Sequence, residues 1–192
     1  LRAEYFDDPA DLARLPAVSR ATRDAMAETG LRFEKLDEYE AADRGCVSAV
    51  ERMQRGGRLS HQQFLCQAAA RSGNLEKLKE FRANRCPWNV LTCAGAAYGG
   101  HLKVLQWARA NGAPWDWQTC MRAAAGGHLE VLQWARANGC PWEKYTSHWA
   151  AVEGHLDTLK FARANGCRWT ASTRDRAADL GYIESDGSLS DE

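Results

Sequence analysis

The apolar positions along the chain fall into two alternating kinds of block. In one, Leu102, Val104, Leu105, Trp107 and Ala108 stand close together, and Lys103, Gln106 and Arg109 leave a single polar strip. That pattern predicts a short helix, apolar around most of its girth, that must be covered on several sides. In the other, Ala94, Ala96 and Ala97 predict a helix of small residues that a second helix approaches closely. Thr92 is the expected N-cap of the small-residue helix, its hydroxyl accepting from an exposed backbone N–H. Gly99-Gly100 ends that helix and turns the chain. Asn111-Gly112 closes the apolar helix, Gly112 supplying a left-handed position, and Pro114 prevents continuation. Trp115 follows in the connection.

The two blocks recur together. Thr92, Thr119, Thr146 and Thr173 are each 27 residues apart, as are His101, His128 and His155. Arg82, Arg109, Arg136 and Arg163 keep the same spacing, and so do Trp88, Trp115, Trp142 and Trp169. One period shared by so many registers marks a repeat architecture. Five two-helix units are expected, starting near residues 38, 65, 92, 119 and 146, with a half-unit cap from 173. The fold class is therefore all-α, a helical-repeat solenoid of 27-residue units, with the array over residues 31–184. The period also suits a leucine-rich repeat, but the L-x-x-L-x-L-x-x-N strand pattern is absent and the units are rich in Ala. Tetratricopeptide repeats need about 34 residues and longer helices.

Gly127-His128-Leu129-Glu130-Val131-Leu132, preceded by Ala123-Ala124, resembles the centre of an ankyrin repeat. The same core stands at Gly100 to Leu105 and at Gly154 to Leu159, so the likeness covers roughly residues 38–184. The ankyrin T-P-L-H opening is replaced by Thr-Cys at 92–93 and 119–120. Against a usual length of about 33 residues, roughly six are gone, most simply from the protruding hairpin. The phrase Gln133 to Trp142 resembles the short-repeat ankyrin arrays plentiful in unicellular algae and giant viruses. The resemblance implies protein–protein binding with no chemistry of its own, so no enzyme activity and no cofactor are expected.

Residues 1–30 do not repeat. Asp8-Pro9-Ala10-Asp11 is a helix start, with Asp8 as N-cap, Pro9 at the first helical position and an acid at the third. Pro16 opens another helix, with Val18, Ala21, Thr22, Ala25 and Met26 spaced for a buried stripe, and Gly30 ends it. The stretch Tyr5 to Arg20 is similar to the later part of an F-box, a module that docks on a Skp1-type adaptor of a ubiquitin ligase. The plainer expectation is an N-terminal helical cap over the first repeat, as solenoids require. At the other end, 185–192 is an acidic tail.

Composition narrows the partners. Lys+Arg and Asp+Glu are both 25, so the chain is neutral and lacks the basic field of a nucleic-acid binder. No apolar run approaches the roughly 18 residues that span a bilayer. The opening residues do not form a secretory signal. Position 1 is Leu, so an upstream segment is expected, a transit peptide if the destination is an organelle. Seven cysteines without a C-x-x-C indicate free thiols in a reducing, intracellular compartment, cytoplasmic or nuclear.

The recurring side chains form ladders with structural roles. Stacked helices lie about 8–10 Å apart, whereas zinc draws ligand nitrogens within about 4 Å of one another. His101, His128 and His155 therefore share no metal and are expected to cap their helices or bond the next repeat. The same spacing excludes disulfides among Cys66, Cys93 and Cys120, which are expected to be buried, whereas Cys86, Cys140 and Cys167 in the connections should be more exposed. The Arg ladder sits in last turns, where a cation complements the helix dipole. The Trp ladder should seal the seam between repeats. No nucleophile elbow, phosphate loop or H-E-x-x-H is present.

Positions that change from unit to unit are free for recognition. They are the connections (Asn89-Val90-Leu91, Asp116-Trp117-Gln118, Glu143-Lys144-Tyr145, Thr170-Ala171-Ser172) and the first helices (Gly95 and Tyr98, Arg122 and Ala125, Trp149 and Val152). In ankyrin arrays these line the concave face. Tyr98, Trp117, Arg122, Tyr145, His148 and Trp149 are the expected partner-binding residues. Three functions fit: a scaffold holding a protein partner, a substrate receptor of a ubiquitin ligase with a Skp1-type adaptor on the front helices, or a fixed subunit of a multi-subunit complex.

Overall fold

The computed structural model describes residues 37–182. The F-box-like segment at 1–30 and the acidic tail lie outside the described residues. Among the described residues there are eleven helices and no strands. They form five antiparallel-style pairs and one single helix. The pairs are α1 (Glu38–Asp43) with α2 (Val47–Arg55), α3 (Gln63–Arg71) with α4 (Leu75–Ala83), α5 (Val90–Tyr98) with α6 (Leu102–Ala110), α7 (Trp117–Ala125) with α8 (Leu129–Ala137), and α9 (Lys144–Val152) with α10 (Leu156–Ala164). The single helix is α11 (Ala171–Asp179). No helix among the described residues is long and apolar enough to cross a membrane.

The first helices α1, α3, α5, α7, α9 and α11 each pack on the next in one continuous row. Their facing residues are small: Ala68, Ala69, Ala96, Ala97, Ala123, Ala124, Ala150 and Ala151 are fully buried. Small side chains let the backbones come close, so these helices make the tightest layer. The second helices bury Leu78, Leu105, Leu132 and Leu159 against the first layer. Bulkier residues hold them farther from each other, so the first-helix side is the more compressed face.

The helices begin earlier than the Thr spacing predicts. Thr92 is not an N-cap; it lies inside α5, fully buried, and Asn89 caps the helix by accepting from Leu91 N–H. Asp116 does the same for α7, accepting from Gln118 N–H, and Thr170 for α11, accepting from Thr173 N–H. Val90-Leu91, Trp117-Gln118 and Lys144-Tyr145 are therefore first-turn residues rather than connection. Asn and Asp in extended backbone with a side-chain acceptor satisfy an orphan N–H better than a Thr three residues further on. The Oγ1 atoms of Thr92, Thr119 and Thr146 are buried without a hydrogen-bond partner.

The histidines bond backwards, not forwards, and do not cap their own helices with the side chain. His128 Nε2 is 3.0 Å from the Tyr98 carbonyl oxygen, and His155 Nε2 is 3.2 Å from that of Ala125. His101 bonds the Arg71 carbonyl in the same way. Residues 71, 98 and 125 end the first helix of the preceding repeat, where carbonyls lack helical partners. Each ring also lies on the left-handed glycine of that repeat: a Cβ on Gly100 would stand 2.6 Å from the His128 ring. The pairing of Gly with His in each repeat is thus a joint between neighbours. Burial lowers the pKa of His101 and His128 below the ordinary histidine value.

The outer seam is an Arg–Trp lattice. Arg109 donates to the Ala113 carbonyl and Arg136 to that of Cys140, 2.6 Å away, tying each helix end to its connection. The same guanidiniums lie 4.2 Å over Trp115 and Trp142. Trp88 meets Trp107 edge-on at 6.1 Å, and Trp115 meets Trp134 at 5.9 Å. A cation beside a ring face attracts it through the ring quadrupole, so each Trp is held by its own repeat and packed on the next. The connection cysteines follow them inward. Cys86, Cys140 and Cys167 are buried rather than exposed, and Cys140 and Cys167 each donate from Sγ to a carbonyl 3.3 Å away, of Asp116 and Glu143. All seven cysteines are free thiols. Burial pushes Cys66 and Cys93 up to about 12, which keeps them un-ionised and unreactive.

Candidate functional site

The varying residues of the first helices lie on one side of the row, and the structure divides them into a closed cluster and an open one. The closed cluster runs through α1, α3, α5 and α7. Arg71 Nε donates to the Asp43 carbonyl at 2.8 Å. The Arg71 guanidinium lies 3.9 Å over the Tyr98 ring, and that of Arg122 lies 5.5 Å from the same ring. Arg122 Nη2 then reaches Asp43 Oδ1 at 3.3 Å. Successive helices are about 8 Å or more apart, so three steps along a straight row would separate Asp43 from Arg122 by about 24 Å. An arginine side chain bridges the gap only if the row bends sharply toward this side. The first-helix face is therefore the concave one.

Tyr98 and Arg122, two of the residues singled out from sequence variation, are thus engaged within the chain. Burial lowers the Arg71 pKa, partly offset by the nearby Tyr98 and Asp43 and reinforced by Arg122. The cavity beneath them is lined by Asp43, Gln67, Arg71, Leu91, Tyr98 and Arg122 and is small, with room for about one water.

The open cluster is on α7 and α9. Tyr145 and Trp149 are 41% and 38% exposed, and Val152 is 38% exposed. Spaced by four and three residues, they share one helical face. Trp117 packs on Tyr145 with ring centroids 5.6 Å apart, and His148 meets Trp149 edge-on at 5.9 Å. Lys144 Nζ stands 5.4 Å from the Tyr145 ring. Trp117, Tyr145, His148 and Trp149 are accordingly brought onto one region, while Tyr98 and Arg122 belong to the other.

Asp43, Arg71 and Gln67 were not among the residues selected from sequence. The signal is present for Arg71 and Gln67, which stand at varying positions of the repeat, 27 residues before Tyr98 and Ala94, whereas Asp43 lies in the first unit, where the period is not kept. No group of His, Cys, Asp and Glu among the described residues is arranged to hold a metal ion.

Among known families, residues 93–136 match the one described as ankyrin repeats (many copies). Comparison with curated proteins gives no match. The matched stretch runs from within α5 to within α8, most of two successive repeats at the centre of the array. Together with the helix pairs, the Gly–His joints and the concave first-helix face, it supports an ankyrin-repeat protein with a helical-repeat solenoid fold.

Proposed function

We propose that this chain is a protein-interaction module whose partner seats on the concave face at α7 and α9. Ankyrin repeats generally mediate protein–protein interaction. The observation that carries the site is the stripe of Tyr145, Trp149 and Val152, large apolar side chains left exposed on a helix whose opposite face, Thr146, Ser147, Ala150 and Ala151, is buried. Trp and Tyr are the residue types that most often dominate binding energy at protein interfaces. Trp117 and His148 flank the stripe and hold its rings in place. A partner presenting a complementary apolar surface would bury them without disturbing the Arg–Trp lattice outside.

The test is comparative purification from the source cells. Tagged wild-type protein should bring down a defined partner, identified by mass spectrometry, and the double variant Tyr145→Ala/Trp149→Ala should lose it while unfolding at the same urea midpoint. Retention of every co-purifying protein by a folded double variant would rule out this face.

A further inference from the structure

We infer that the closed cluster is a second, separate subsite, one that accepts a carboxylate side chain of an acidic peptide segment in place of Asp43. Two guanidiniums, Arg71 and Arg122, face one cavity that holds a single carboxylate, so a positive charge is left over in a partly enclosed place. Arg122 is pre-ordered: the Tyr98 ring supports its guanidinium at 5.5 Å, as it supports that of Arg71 at 3.9 Å from the other repeat. Planar forks held in this way match a carboxylate with two parallel hydrogen bonds, which a single 3.3 Å contact to Asp43 does not supply.

Asp43 is the weak member. Its side chain is 52% exposed and that of Arg122 is 32% exposed, and ion pairs so open to water are readily exchanged. Asp43 sits at the C-terminal end of α1, only six residues long, where a negative charge also opposes the helix dipole. Gln67 adds an independent sign of a ligand. It is 6% exposed, lines the same cavity, and its Oε1 has no hydrogen-bond partner. A buried polar group without a partner is costly. The Gln67 amide nitrogen, the other end of the same group, is the atom able to donate to an incoming carboxylate. The cavity as it stands has room for about one water, so an incoming carboxylate takes the place of Asp43.

This subsite rests on the protein-interaction reading but uses different residues, so the two fail separately. Fluorescence anisotropy of fluorescein-labelled octaglutamate, with octaglutamine as the neutral control, tests it on the full chain at low salt. Octaglutamate should bind and octaglutamine should not. Asp43→Asn should tighten binding about threefold by removing the competitor, and Arg122→Gln should weaken it about tenfold. Arg122→Lys, which keeps the charge but not the fork, should fall between them, with circular dichroism confirming that all variants are folded. Equal binding by wild type and Arg122→Gln, weaker binding by Asp43→Asn, or no octaglutamate binding at millimolar concentration would each overturn the inference. A partner that needs Trp149 but ignores Arg122→Gln would leave the proposed function standing without this subsite.

Discussion

Arg122 on α7 holds Asp43 on α1 at 3.3 Å, across the two intervening helices α3 and α5. Solenoids are commonly held together by contacts between neighbouring repeats alone. Here Asp43, Arg71, Tyr98 and Arg122 tie the first repeat to the fourth, and the curvature of the array is the condition that lets them meet.

Cutting this tie should change shape more than stability. The pair is half open to water, so Arg122→Gln is expected to cost only about 0–1 kcal/mol in urea unfolding. Small-angle X-ray scattering should instead show a larger radius of gyration, as the row of first helices relaxes outward. An unchanged scattering curve would mean that the alanine packing alone sets the bend.

The Gly–His joints should matter more than any surface pair. Gly100→Ala places a Cβ 2.6 Å from the His128 ring at a φ of +74°, and should destabilise the protein by about 1–3 kcal/mol. Gly112→Ala is the control: its φ is +83° but nothing lies within 4 Å, so only the backbone cost of about 1 kcal/mol applies. The difference between the two urea midpoints isolates the contribution of the joint.

Acid should loosen the same joints. Burial depresses the pKa of His101 and His128 and outweighs their hydrogen bonds to the Arg71 and Tyr98 carbonyls, which act the other way; neighbouring charges add to the depression, Arg71 on both and His101 and His155 on His128. The unfolded chain therefore binds protons more readily than the folded one. Stability is full above the unfolded histidine pKa of about 6.5 and falls as pH drops through and below it. Thermal melts from about pH 7.5 to 5 should show this decline, and His128→Gln, which keeps a donor but cannot titrate, should flatten it. A wild-type melting temperature that is level or rises toward pH 5 would contradict the assignment.

The buried threonines offer a stabilising change. Thr119 Oγ1 lies in the core with no partner, so Thr119→Val removes an unmet desolvation cost while keeping the side chain's shape. A gain of about 1 kcal/mol is expected from chemical denaturation. A loss of stability would show that the hydroxyl is satisfied in solution.

Much of the architecture was legible because repetition averages out local ambiguity. One helix pair of nine-residue helices carries a weak signal, but the same Gly, His, Leu, Arg and Trp at a constant spacing across units leaves only a stacked array. The helix starts were less legible. Thr is a good capping residue wherever it stands, and only packing showed that Thr92 is drawn into the core while Asn89 turns the chain. The connection cysteines were misplaced for a similar reason: their loops fold back under the Arg–Trp lattice, which their position in the chain does not reveal.

The sequence by itself determined the repeat, its period, the two helices in each unit and the side chains that vary between units, since these follow from spacing and residue type. Tertiary structure alone decided which varying residues remain open. Tyr145 and Trp149 are left exposed, whereas Tyr98 is captured by Arg71 from the preceding repeat and Arg122 by Asp43 from the first. Spacing records neighbours along the chain, but the bend that brings the first repeat to the fourth depends on the unequal girth of two helix layers and on the tie from Arg122 to Asp43, and both are properties of the packed array.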